Sequence, residues 1–275
     1  MSVRFGFGEN WLKFAADLRP EQIVEAEKSL SRLLDRNDLS GLSFLDIGSG
    51  SGLFSLAARK KGARVKSFDI DPDSVACTQA VRNQYCLNDS YWTVERGSIL
   101  DRDYVNQLGT FDIVYSWGVL HHTGAMWSAL EHAAGLVSPS GILAIALYRQ
   151  TPLCSAWRIE KRLYVSAPRL AQFAIRGPYK AAYLIGKATR GQNPIKFVRD
   201  YKSSRGMNWH RDVHDWLGGY PYESASAETV KQQLKRLGLC IVRTFERPPG
   251  IGLFGTGCDE YVSQKPPVAS LAGPN

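Results

Sequence analysis

The sequence predicts an α/β protein with a doubly wound parallel sheet, interrupted late in the fold by a helical insertion. Between residues 43 and 148, short β-branched and apolar runs alternate with segments of helical periodicity, as strands joined by crossover helices do. The first run ends in a glycine-rich turn, FLDIGSGSG over Phe44–Gly52, at the kind of strand end where open α/β sheets meet their ligands. The alternation stops at Thr151 and resumes after residue 226, which describes one sheet with an insertion, not two consecutive domains.

Taken in order, residues 1–40 form an N-terminal helical segment. In it Pro20–Asp35 spaces Ile23, Ala26, Leu30, Leu33 and Leu34 at helical intervals, and this helix is expected near the ligand edge. The α/β core, residues 41–150, has expected strands at Ser43–Ile47, Val65–Ile70, Trp92–Glu95, Phe111–Trp117 and Ile142–Tyr148. Helices are expected at Leu53–Lys61 and at Asp73–Asn83, the second opening at the Pro72 break. Residues 151–225 are the insertion, broken by Pro168, Gly177-Pro178, Gly191 and Asn193-Pro194 and ending in an aromatic lid. Residues 226–265 add a helix at Ala227–Leu237 and strands at Leu239–Phe245 and Asp259–Ser263, which bring the total to seven strands, and 266–275 reads as a disordered tail.

Composition narrows the function. The 275 residues are 44% hydrophobic and 22% charged, ordinary for a soluble globular chain. No apolar run reaches the roughly 18 residues of a membrane-spanning helix, and the start MSVRFGFGENWLKF has no apolar signal core, so a cytoplasmic location is expected. The five cysteines (77, 86, 154, 240 and 258) are scattered without a CxxC pair and read as reduced thiols. The net charge of +8 is unevenly placed: residues 151–211 hold thirteen Lys or Arg against two acids, so the rest of the chain is about −3.

The glycines of the first turn are Gly48, Gly50 and Gly52, with Ser49 among them and Leu53 next. A dinucleotide fingerprint is GxGxxG, and here the spacing is GxGxG, preceded by Asp46. A carboxylate there repels a pyrophosphate but suits a ligand bearing an ammonium group, such as S-adenosylmethionine. Asp69, at the end of the second strand, stands where a carboxylate accepts hydrogen bonds from ribose hydroxyls. Ile70 beside it could lie on an adenine face, and Ser98 with Ile99 in RGSILD could reach the adenine edge. The fourth strand ends FDIVYSWGVLHHT, which sets Trp117, His121 and His122 at the ligand edge. An NAD-dependent dehydrogenase is disfavoured by Leu53 and Asp46, and a cofactor-binding scaffold without catalysis is the non-enzyme alternative.

LDIGSGSG, FDID, RGSILD, FDIVYSWGVLHHT and SPSGILAIALY, in that order over about residues 40–150, resemble the successive motifs of class I S-adenosylmethionine-dependent methyltransferases, particularly the ubiquinone-biosynthesis-type O-methyltransferase branch (methyltransferase type 11/12-like). HDWLGGYPYE and GCDEYV are similar to a bacterial subgroup of these proteins. The resemblance implies a Rossmann-like seven-stranded sheet with its last strand antiparallel, and S-adenosylmethionine as cofactor with S-adenosylhomocysteine as product. Many members have Asp where this chain has Ser98, so adenine recognition here would use a neutral hydrogen bond. No Asp/Asn-Pro-Pro-Tyr motif follows the fourth strand, which counts against methylation of nucleic-acid bases. The expected activity is O-methylation of a small-molecule hydroxyl, with N-methylation of a small molecule, or a lipid-linked or tRNA substrate, as alternatives.

Methyl transfer from a sulfonium is an in-line displacement that requires alignment and no metal, and a hydroxyl nucleophile gains from a base. His121, His122, His210 and His214 are the candidates, because imidazole titrates near neutral pH. His210 and His214 are four apart and Asp215 follows, so they could bind a divalent metal, face the substrate or be structural. Trp209, Trp216, Tyr220 and Tyr222 surround Gly218-Gly219, as in an irregular lid over the acceptor or a small subcore; Glu260, on the last strand, could reach the same pocket. Within the insertion, Lys161–Leu170 and Tyr179–Arg190 mix aromatic and apolar residues with Lys and Arg. Such a segment can cap the fold, meet an anionic membrane or bind an anionic substrate, and nucleic acid is the weakest reading.

Overall fold

The computed structural model describes residues 4–8, 11, 18–87, 89–205 and 209–267. Seven strands make one sheet in the order β3-β2-β1-β4-β5-β7-β6. They are β1 (Ser43–Ile47), β2 (Arg64–Asp69), β3 (Trp92–Arg96), β4 (Phe111–Trp117), β5 (Val137–Tyr148), β6 (Cys240–Phe245) and β7 (Cys258–Gln264). β1 to β5 run parallel, and β7 lies antiparallel between β5 and β6, as expected. The chain builds outward from β1 to β3 and then crosses back to place β4 on the other side of β1. This reversal opens a crevice at the carboxyl ends of β1 and β4.

Helix α1 (Pro20–Leu34) turns Ile23, Ala26, Leu30, Leu33 and Leu34 inward. With α2 (Leu53–Lys60) and α3 (Pro72–Tyr85) it covers one sheet face through Phe44, Leu56 and Trp92. Pro72 occupies the first helical turn of α3, where its missing N–H costs nothing, and Asp71 caps that helix by accepting from Asp73 N. The other face is covered by α4 (Arg102–Gln107), α5 (Met126–Gly135) and α10 (Ala227–Arg236), packed on Leu45, Val114 and Leu143. β5 begins five residues earlier than its apolar run, because Ser140 takes φ 63° and the β4–β5 register shifts between Phe111 and Ile113.

Between β5 and α10 the insertion folds as four helices, α6 (Cys154–Ser166), α7 (Arg169–Ala188), α8 (Pro194–Arg205) and α9 (Trp209–Gly218). Gly177-Pro178 does not break α7: Tyr179 and Tyr183 on the following turns pack against Trp157, Trp209 and Phe254. The stretch expected as an irregular lid is mostly helical as well. Trp209, Val213 and Leu217 recur at helical spacing and join Tyr164 and Tyr201 in a small core of their own, leaving 219–222 as the loop. The tail at 268–275 lies outside the described residues.

Candidate active site

The crevice opens into one cavity of about 1950 Å³ that runs from the glycine turn to the insertion. The turn is shaped by backbone conformation. Gly48, Gly50 and Gly52 have φ of 74°, 53° and 74°, a region that side-chain-bearing residues rarely adopt. A β-carbon on Gly48 would stand 2.4 Å from Val119, and one on Gly52 would stand 3.0 Å from Thr78. Gly48 and Gly52 are thus required by the protein's own packing; Gly48 lines the cavity as well, whereas Gly52 does not. Gly50 faces the cavity beside the Trp11 indole.

Beneath the turn, buried polar groups form a chain. Trp92 Nε1 donates to Ser67 Oγ (2.9 Å), which lies 2.7 Å from Ser55 Oγ, and Ser55 Oγ donates to Asp46 Oδ2 at 2.5 Å. Asp46 borders the cavity but is 3% exposed, and burial pushes its carboxyl up to about 7. Asp69 accepts from Gly50 N at 3.0 Å and Asp71 N at 2.9 Å, and burial raises its pKa too. A carboxylate has about four lone-pair sites, so acceptor capacity remains for two hydroxyls. Ile70, Ser98 and Ile99 complete this wall. A buried carboxyl for an ammonium, a second carboxylate for a ribose and the apolar Ile70 beside it fit S-adenosylmethionine by donor chemistry.

Trp117 stands on the wall with 43% exposure. Its Nε1 donates to Glu260 Oε1 at 3.0 Å, and Arg32 donates to Glu260 Oε2 at 2.5 Å. Glu260 thus holds Trp117 from behind and does not line the cavity, contrary to its expected place in the acceptor pocket.

His121 and His122 both border the cavity, and their partners place their protons on opposite nitrogens. Tyr148 N–H donates to His121 Nδ1 (3.2 Å), so that ring carries its proton on Nε2, a buried atom with no hydrogen-bond partner among the described residues. His122 Nδ1 lies 2.7 Å from the Pro221 carbonyl oxygen; a carbonyl only accepts, so the proton sits on Nδ1 and Nε2 is left basic. Burial lowers both pKa values, that of His122 to about 4. The Tyr148 ring packs on His121 at 3.9 Å.

The second histidine pair faces away from the cavity. His210 is exposed and lies 2.7 Å from Lys180 Nζ, whereas His214 lies 2.7 Å from Tyr164 OH. Although α9 puts them on one face, they serve different partners, and no cluster of three metal-ligating side chains occurs among the described residues. Trp209, Asp215, Trp216 and Tyr220 do line the cavity. Tyr222 lies in the core, 2% exposed, with its hydroxyl on Cys154 Sγ.

Three contributors escaped the sequence reading. The amino-terminal residues form a strap: Arg4 donates to Thr123 O (3.1 Å), Phe5 N to Tyr220 O (2.9 Å) and Gly8 N to Asp71 Oδ2 (3.0 Å), and Phe7 packs 5.2 Å from His122. The β6–β7 loop, GIGLFGTG over Gly250–Gly257, lines the far wall; four glycines in eight residues were the cue in the sequence. Lys161 is fully buried, bonded to Trp216 O and 3.7 Å from the centre of the Trp216 ring. Burial depresses its pKa and raises that of its neighbour Glu160. Nothing in the local sequence marks it.

The sheet order and the glycine turn over two carboxylates agree with the fold of class I S-adenosylmethionine-dependent methyltransferases. The chain belongs to the methyltransferase domain family, whose model matches residues 18–244. A ubiquinone biosynthesis O-methyltransferase of Xanthomonas oryzae pv. oryzae is 28% identical over 144 residues, 52% of this chain and 56% of the relative. One from Rhodopseudomonas palustris is 26% identical over 171 residues, 62% of this chain and 60% of the relative. The chain thus spans little more than half the length of these curated relatives. In fold it is similar to magnesium protoporphyrin IX methyltransferase from Synechocystis PCC 6803 with bound S-adenosylhomocysteine, at TM-score 0.54 and 16% identity, covering 91% of this chain and 86% of that one.

Proposed function

We propose that the protein methylates a hydroxyl oxygen of a small-molecule acceptor, with His122 receiving the proton. The observation that carries this reading is the adjacent histidine pair of opposite tautomers on the cavity wall. One ring offers an N–H to an oxygen and the other offers a lone pair to its proton. Asp46 and Asp69 would hold the cofactor, which when bound supplies a methyl carbon made electrophilic by its sulfonium. His121 would orient the acceptor oxygen, and His122 Nε2 would take its proton. With a pKa near 4, His122 is neutral at working pH but a weak base, so proton transfer accompanies bond formation. The similarity to O-methyltransferases supports oxygen as the nucleophile.

Single-turnover kinetics with a catechol acceptor test the roles. His122→Gln should lower the rate by about 10²–10⁴ with S-adenosylmethionine affinity within twofold. An unchanged rate would remove His122 as base and favour a nitrogen nucleophile that is already neutral.

A second element belongs to this proposal: peripheral contact with an anionic membrane through 151–211. It is supported by α7, which buries none of its side chains and exposes Leu170 (86%), Phe173 (73%) and Ile185 (64%) on a segment rich in cations. Among the described residues no helix is long and apolar enough to cross a membrane. Sedimentation with phosphatidylglycerol vesicles at low salt, fading as salt rises, is the expected result; no sedimentation at any salt concentration would dismiss the contact.

A further inference from the structure

We infer that the insertion arm of the cavity is a binding site for the distal part of an acceptor built from an aromatic body and an anionic group. The inference rests on the methyltransferase reading and extends it to substrate class. Ligand pockets usually enclose about 300–1,000 Å³, so a cavity of about 1950 Å³ has room for a second ligand of considerable size beside the cofactor.

The wall of this arm has an order. Tyr179, Tyr183 and Lys187 recur every four residues along α7, and Arg190 follows just past its end; all four line the cavity. Residues four apart share a helix face, and at 1.5 Å per residue Lys187 lies about 12 Å along the axis from Tyr179. The inner portion is aromatic: Tyr183 packs 4.9 Å from Trp209 and 5.4 Å from Phe254, and the Tyr179 hydroxyl donates to Phe254 O. The outer portion is cationic through Lys187 and Arg190, and Arg247 of the β6–β7 loop, whose Nε donates to Cys258 O, lines the same cavity. The Lys187 ammonium is held over the Phe197 ring at 4.6 Å. Among the described residues, no carboxylate lies within ion-pairing distance of these three cations. Of the acids on the neighbouring α9, Asp212 is engaged by the Tyr201 hydroxyl and Asp215 is buried. An aromatic slot that ends in unneutralised cations selects a ring system carrying a carboxylate, sulfonate or phosphate.

Two dyes test the site on the full chain with S-adenosylhomocysteine present. Anilinonaphthalene sulfonate carries the anion, and phenylnaphthylamine keeps the rings without it. The sulfonate should bind about tenfold tighter, the sum of two half-exposed ion pairs. Lys187→Met with Arg190→Met should abolish that preference, leaving the neutral dye and calorimetric S-adenosylhomocysteine affinity unchanged. Arg176→Met with Lys180→Met removes equal charge from α7 away from the cavity wall and should preserve the preference. Equal affinity of the two dyes for the unaltered protein, or equal loss in both double variants, overturns the inference. A normal S-adenosylhomocysteine isotherm with no sulfonate preference defeats the anion site alone, whereas absence of that isotherm defeats the methyltransferase reading beneath it.

Discussion

Around the glycine turn, polar groups are buried and matched: the chain from Trp92 through Ser67 and Ser55 to Asp46 passes each hydrogen bond to a partner on a neighbouring element. Along α7 the opposite holds: the helix buries no side chain, and its Lys187 faces the cavity. The first region is preorganised for one ligand of fixed chemistry. The second is a platform whose contacts are mostly ring against ring, and such surfaces tolerate variation in what they bind. On the proposed reading the first region is the donor site and the second the acceptor site, and the two sit on different architectures.

Breaking the donor side should give the largest effects. Gly50→Val forces a β-branched residue to φ 53° with a β-carbon 3.2 Å from Trp11 Nε1, and should weaken S-adenosylmethionine binding at least about a hundredfold with an unchanged circular dichroism spectrum. Asp69→Ala removes a charged acceptor and should cost about ten- to a hundredfold in calorimetric affinity. Unchanged affinity in either variant would place the cofactor elsewhere.

Next comes pH. Asp46, pushed up to about 7 by burial, is protonated below that pH in the free protein, and an ammonium ligand requires the carboxylate. Cofactor affinity should therefore fall as pH drops, by about tenfold between pH 8 and 6. His122, lowered to about 4, stays neutral over that range, so kcat at saturating cofactor should hold steady. Parallel pH profiles for affinity and kcat would collapse the distinction between the two regions.

The smallest effect is expected at their junction. Glu260→Gln removes the charge that Arg32 pairs with behind Trp117, and with Arg32 47% exposed the change in cofactor affinity should be about threefold or less. A larger change would mean that the Trp117 orientation governs the donor site.

The cavity wall at the glycine turn was legible in the sequence because Asp46, Gly50, Asp69 and Ser98 lie at consecutive strand ends, where period-two patterning and turn chemistry fix positions within a residue or so. β2 was displaced by one residue, since Arg64 pairs with Ser43 at its start. The acceptor side was poorly legible because it is assembled across the chain. Phe7 meets His122 at 5.2 Å and Tyr148 meets Trp216 at 5.6 Å, contacts without a local pattern. Helical spacing at 209–217 is present in the sequence, but the flanking glycines and prolines suit an irregular lid as well as the small subcore that the structure shows. Glu260 was placed in the right neighbourhood with the wrong partner, because strand register gives a direction and says nothing of what stands between.

The amino-terminal strap ties these regions into one kinetic unit. Its main chain bonds to Asp71 near the glycine turn and to Tyr220 near the insertion, so residues 4–8 bridge the two halves of the cavity. A bridge of this kind predicts linked entry and exit and an obligatory sequence in turnover. Initial-rate plots against the two substrates should intersect, and only the product that leaves last should inhibit competitively, against the substrate that binds first. A random-order pattern would mean that residues 4–8 ride passively on the surface while the chemistry proceeds beneath.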